Sequence, residues 1–90
     1  MYDYRGRIVR ATAGRDRDAI FCVVGVDQDQ KRLLLADGKR RKTARPKAKK
    51  LGHVEFLTDH PAIQKPAQGE ALSDKELRRA LAAFRDQLEV

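Results

Sequence analysis

Ala19-Ile20-Phe21-Cys22-Val23-Val24-Gly25-Val26-Asp27, followed by Lys31-Arg32-Leu33-Leu34-Leu35-Ala36 and then Asp37-Gly38, is the stretch that decides the fold. Both runs are rich in large apolar residues, and the first is also rich in β-branched and aromatic ones. Such residues suit a pleated, half-buried surface, so both runs read as strands. Asp-Gly after such a run is a strong hairpin-turn signal, because both residues tolerate positive φ. Upstream, Arg7 to Thr12 is a shorter strand flanked by Gly6 and Gly14. Downstream, Gly52 to Leu57 makes another, with Val54 and Phe56 on one face. Short strands with turn signals between them point to a small β-barrel. No helix is expected before residue 60.

The C-terminal part has a different period. Ser73-Asp74-Lys75-Glu76 is a capping box, and Leu72 and Leu77 occupy the positions of a hydrophobic staple around it. Leu77, Leu81, Phe84 and Leu88 recur at spacings of four, three and four, which is one apolar helix face. Asp74 and Arg78 are placed for an i,i+4 ion pair. The pattern predicts a helix over 73–90. Its apolar face can be buried on the barrel, on a second copy or on a partner protein. Docking on the barrel is the expectation, because amphipathic faces seek a core. Two heptads are short for a coiled coil, so a monomer is expected. Pro61, Pro66 and Gly69 punctuate the stretch between, which reads as a linker over 58–72.

Ninety residues leave room for one small domain and an appended element. The chain carries 20 Lys plus Arg against 13 Asp plus Glu, a net charge of +7. Residues 1–57 hold 15 basic and 7 acidic side chains, residues 58–90 hold 5 and 6, so the excess belongs to the first part. Polyanions are the partners such a charge attracts. The longest nearly apolar run, Ala19 to Val26, is far short of the roughly 20 residues that span a bilayer. The polar N-terminus has no h-region, so neither a membrane segment nor a signal peptide is expected. The single cysteine, Cys22, has no intrachain partner, which fits a reducing cytoplasm.

Gly6-Arg7-Ile8-Val9-Arg10-Ala11-Thr12-Ala13-Gly14-Arg15-Asp16 resembles a KOW motif, in which a strand runs into a turn at a glycine and a second apolar strand follows. Gly14 matches that glycine and Phe21 to Val26 the second strand. Leu33 to Gly38, then Arg45-Pro46-Lys47-Ala48-Lys49-Lys50-Leu51-Gly52-His53, is similar to short bacterial KOW-domain RNA-binding proteins. These in turn resemble KOW-type large-subunit ribosomal proteins of archaea and eukaryotes. The likeness covers residues 5 to 57 and implies an SH3-like barrel that binds RNA through basic loops. Asp18 departs from the pattern, since many KOW turns carry a second glycine there, and a different turn geometry is expected at that point.

The densest candidate site is Lys39-Arg40-Arg41-Lys42-Thr43-Ala44-Arg45-Pro46-Lys47-Ala48-Lys49-Lys50, with eight basic residues of twelve and no acidic one. Such a run repels itself until a counter-charge arrives, and phosphates supply one. Arg15 and Arg17 flank the Gly14 turn, and His53 sits at a strand start beside the run. Gly14, Asp37 and Gly38 are the structural turn residues. Tyr2 and Tyr4 share one side of an extended chain; unpaired bases stack on such rings, although closing one end of the barrel core is the plainer role. His53, His60, Cys22 and Asp59 match no zinc spacing, so no metal or cofactor is expected. No nucleophile elbow, phosphate loop or His-x-x-x-His occurs, and the chain does not read as an enzyme.

The sequence thus predicts a mainly β protein: a KOW-type, SH3-like barrel over 1–57, the linker and the amphipathic helix. The expected function is binding of RNA, ribosomal RNA or a ribosome-associated site, with ribosomal proteins as possible neighbours. The rival readings are a protein-interaction adaptor in translation or transcription and a nucleoid-type DNA binder.

Overall fold

The computed structural model describes residues 2–88, so Met1 and residues 89–90 lie outside it, including the last two positions of the expected helix. Five strands form one antiparallel sheet: β1 (Ile8–Ala11), β2 (Ile20–Asp27), β3 (Arg32–Ala36), β4 (Lys47–Lys50) and β5 (Val54–Phe56). Their order is β4-β3-β2-β1-β5. The sheet is not closed, and β4 and β5 are its edges. A 3-10 turn, Leu51–His53, links those two edges, and two helices follow, α1 (Gln64–Ala67) and α2 (Asp74–Leu88).

Period-two alternation sends the strand side chains into two cores. One face buries Val9, Ala11, Phe21, Val23, Leu33 and Leu35, with Tyr4, Val54 and Phe56 packed against them. The other buries Ile8, Cys22 and Ala36 against Ile63, Leu77 and Leu81. Burial on both faces explains why β2 reads as an unbroken apolar run rather than an alternating one. A register shift between Val23 and Gly25 leaves Val24 as a bulge.

Strand β4 departs from the expected loop. Lys47-Ala48-Lys49-Lys50 has no strand-forming side chain, yet it pairs with β3 from Arg32↔Lys50 to Leu35↔Lys47. Backbone pairing with an apolar neighbour overrides propensity here, and lysines suit an edge because their charge discourages further strand addition. The expected strand Gly52 to Leu57 starts late, since the 3-10 turn takes its first residues. Asp37-Gly38 does not make a two-residue hairpin. Only Gly38 takes positive φ, at 78°, and the N–H groups of Asp37 and Gly38 both donate to the Arg41 carbonyl, at 3.0 and 3.1 Å.

The segment expected as a linker is anchored. Ile63 is buried and its N–H donates to the Gly6 carbonyl at 3.0 Å, while Pro66 is buried within α1. Helix α2 is docked on the sheet through Leu77 and Leu81, both fully buried, and its cap forms as expected, the Glu76 N–H donating to Ser73 Oγ at 3.1 Å. The Glu76 carboxylate also takes Lys65 Nζ at 2.6 Å, joining α1 to α2. The expected Asp74–Arg78 pair gives way to two longer-range bonds. Asp74 Oδ1 accepts from the Thr43 N–H at 2.8 Å, and Arg78 Nη1 donates to the Gly38 carbonyl at 2.7 Å.

Candidate nucleic-acid interface

The turn after β1 is built on two left-handed residues. Gly14 has φ 81°, as its role required, and Asp18 has φ 73°. Asp18 thus adopts a left-handed backbone conformation of the kind that glycine takes freely. Asp is among the few side chains that tolerate it. The turn is closed by the Asp18 N–H on the Ala11 carbonyl, 2.8 Å, and the Ala19 N–H on the Asp16 carbonyl, 2.9 Å.

That geometry turns Asp16 inward, where it is 3% exposed. Its Oδ2 accepts from Arg41 Nη2 at 2.9 Å, and Arg40 Nη2 lies 4.0 Å from Oδ1. Burial pushes the Asp16 carboxyl up, but the hydrogen bond and charge of Arg41, with Lys49 and Arg40 behind them, hold it below its ordinary value. Lys49 is buried too, 8% exposed, beside Gly14: a Cβ there would sit 3.3 Å from its Nζ. One of the predicted phosphate contacts, Arg41, is therefore spent on fastening the turn to the basic run, and a second, Lys49, is buried beside it. The sequence offered no sign of this, since Asp16 and Arg41 are 25 positions apart.

Loop 37–46 is ordered by Asp37, whose Oδ1 accepts from the N–H groups of Lys39 and Arg41, both at 2.9 Å. Beyond Arg41 the run divides. Thr43, Ala44 and Pro46 border a cleft shared with Val24, Leu34, Pro66, Glu70 and Leu72, while Lys42 and Arg45 are exposed and do not line it. Lys47, Lys49 and Lys50 instead line a shallow groove of about 260 Å³ with Ala13, Gly14, His53 and Arg32. The twelve-residue run is thus not one surface. Arg32, which the sequence reading missed, joins the groove because it pairs with Lys50 across β3 and β4.

Of the cations expected to meet phosphate, seven stand exposed and apart from Asp16: Arg15, Arg17, Lys39, Lys42, Arg45, Lys47 and Lys50. Among the described residues none of them has a carboxylate within ion-pair distance. Arg5 and Arg10, by contrast, pair with Asp3, Asp18 and Glu55. His53 is exposed beside the groove and its carbonyl accepts from the Thr12 N–H at 2.9 Å, tying the 3-10 turn to the end of β1.

Among the described residues no group of three or more His, Cys, Asp or Glu side chains is placed to hold a metal ion, and no helix is long and apolar enough to cross a membrane. Cys22 is packed as an apolar residue, and burial pushes its thiol up to about 12. Neither a protein-family model nor a curated protein matches the chain.

Proposed function

We propose that this protein is a non-enzymatic RNA-binding module of the KOW type, acting in the cytoplasm on ribosomal RNA or a ribosome-associated site. The observation that carries the reading is that seven of the expected phosphate-binding cations are exposed without acidic partners, on the Gly14 turn, on loop 37–46, whose start is ordered by Asp37, and on strand β4. A preordered cationic surface loses little entropy when phosphates dock, and counterion release then drives binding. The 3-10 link between β4 and β5 and the glycine turn after β1 support an SH3-like barrel with incomplete closure. The choice of RNA over DNA rests on the KOW resemblance, since the charges serve both.

The adaptor reading loses one of its two supports, because the apolar face of α2 is occupied by the sheet. A competition assay among ribosomal RNA fragments, duplex DNA and intact ribosomal subunits tests the proposal. Displacement of a ribosomal RNA fragment by RNA far more readily than by DNA is expected. Equal displacement by DNA would assign the surface to a nucleoid role instead.

A further inference from the structure

A second cluster lies at the far end of β1 and β5 from the Gly14 turn. Tyr4 packs on Phe56 with ring centroids 4.7 Å apart, and Tyr2 leans on Tyr4 at 5.5 Å. The planes are tilted by 38° and 33°, so the rings form a shallow trough. The Arg7 guanidinium sits over all three, 5.9, 5.3 and 5.8 Å from the centroids of Tyr2, Tyr4 and Phe56. Tyr4 and Phe56 are held by the core, but Tyr2 is 69% exposed and closes nothing. Arg7 has no carboxylate within ion-pair distance among the described residues; the rings are its near partners, and Asp59 interacts with its charge from farther off.

We propose that this trough stacks an unpaired nucleobase of the bound RNA, on the open surface made by Tyr2 and Arg7. The inference rests on the RNA-binding reading and deepens it: the substrate combines phosphates at the groove with at least one base outside a duplex. Aromatic rings and guanidinium planes are the surfaces on which splayed bases stack. The site suits a base better than a phosphate. Asp59 borders an adjoining cleft with Tyr4, Arg7 and Phe56, is 99% exposed, and is held below the usual carboxylate range by the His60 hydrogen bond. Its negative charge repels phosphate, whereas its oxygens accept from base N–H groups. The spacing is suitable as well. His53 and Phe56 bracket β5, three residues or about 10 Å apart, and β5 is an open edge. A single strand following that edge reaches from groove to trough within a few nucleotides.

The chain has two tyrosines and no tryptophan, so its tyrosine emission reports on this trough alone. The probes are a short oligouridylate, the same sugar–phosphate strand without bases, and an RNA duplex of equal phosphate number. Oligouridylate is expected to quench the emission and to bind the parent more tightly than the abasic strand. Tyr2→Ala should lose about tenfold in oligouridylate affinity, the scale of one stacked base, and stay within about twofold for the other two. Tyr2 is exposed, so the variant keeps the fold. Unquenched emission with equal oligouridylate affinity for parent and Tyr2→Ala would overturn the trough while leaving the basic surface standing. Failure of the parent to bind any of the three overturns both. Quenching by an oligoproline and not by oligouridylate would give the trough to a protein partner.

Discussion

Arg78, in the second turn of α2, donates from Nη1 to the carbonyl of Gly38 at 2.7 Å, and so fastens the C-terminal helix to the start of the basic loop. The contact is close because Gly38 has no side chain. A Cβ there would collide with the Asp74 carbonyl and meet the Arg78 stem, and the φ of 78° disfavours any other residue. Helix, loop and Asp16 turn form a single tied unit.

Gly38→Val is therefore expected to cost about 3 kcal/mol or more in urea unfolding, from left-handed strain plus the collision. Gly14→Ala should cost only about 1 kcal/mol, because the nearest atom is the flexible end of Lys49. Equal losses at the two glycines would mean that the helix–loop contact is not tight.

Asp18 tests the turn in the opposite direction. Replacement by Gly removes the strain of φ 73° but also an exposed pair with Arg10 at 3.5 Å and adds unfolded-chain entropy. These nearly offset, so stability should stay within about 0.5 kcal/mol, while Asp18→Ala loses about 1 kcal/mol. Ala tolerated as well as Gly would argue against a left-handed residue here.

The residues that were legible from sequence are those whose structure is locally determined. β2, β3 and the Ser73 cap announce themselves through neighbours a few positions away, and the structure moves their ends by only a residue or so. What stayed hidden depends on distant partners. β4 is a strand only because β3 lies beside it, and Ile63 is an anchor only because Gly6 presents a carbonyl to it. Arg41 and Lys49 look identical in sequence to the cations that remain exposed. The inward turn of Asp16 sets Arg41 apart, and the place of Lys49 in β4, opposite the buried Leu33 and beside Gly14, sets Lys49 apart.

Asp16 links that separation to pH. Its folded pKa is lowered, so its contribution to stability is complete above the unfolded value and is lost as pH falls through the folded one. Asp16→Asn should unfold more easily near neutrality, by about 1–2 kcal/mol, and show a flatter loss of stability below about pH 4. The figure is modest because Arg41 is one-third exposed, and its buried Nε has no acceptor among the described residues. Parallel acid unfolding curves for parent and variant would remove Asp16 from this role.

The exposed cations give a cleaner test of binding than the whole run does. Lys42, Arg45, Lys47 and Lys50 are exposed, so replacing all four by Gln should change stability by no more than about 0.5 kcal/mol each. If about five phosphates are neutralised, the parent's log affinity falls with log salt at a slope of roughly −3.5 to −4.5. The quadruple variant should bind RNA more weakly and lose roughly 3 from that slope. An unchanged slope would show that phosphates do not meet these residues.

Docking of α2 can be read at Cys22, which lies beneath it. The thiol is fully buried in the core that Leu77 and Leu81 complete, and burial pushes its pKa up to about 12. Thiolate is the reactive form, so in the intact chain a thiol reagent at mildly alkaline pH must wait for the helix to lift or the chain to unfold. Leu77→Ala leaves a cavity in this layer and should cost about 2–5 kcal/mol, a large share of the stability of so small a domain. Its thiol should react faster in step with that loss. Truncation after Gly69 removes Leu72, Leu77, Leu81 and Phe84 together with Asp74 and Arg78, so it strips the cover from Ile8, Cys22 and Ala36 and unties loop 37–46 at once. The shortened chain is expected to bind a hydrophobic dye, melt at much lower temperature and expose Cys22 to immediate reaction. A truncated chain whose thiol stays as slow as the parent's, with unchanged melting, would mean that the sheet closes this core without α2.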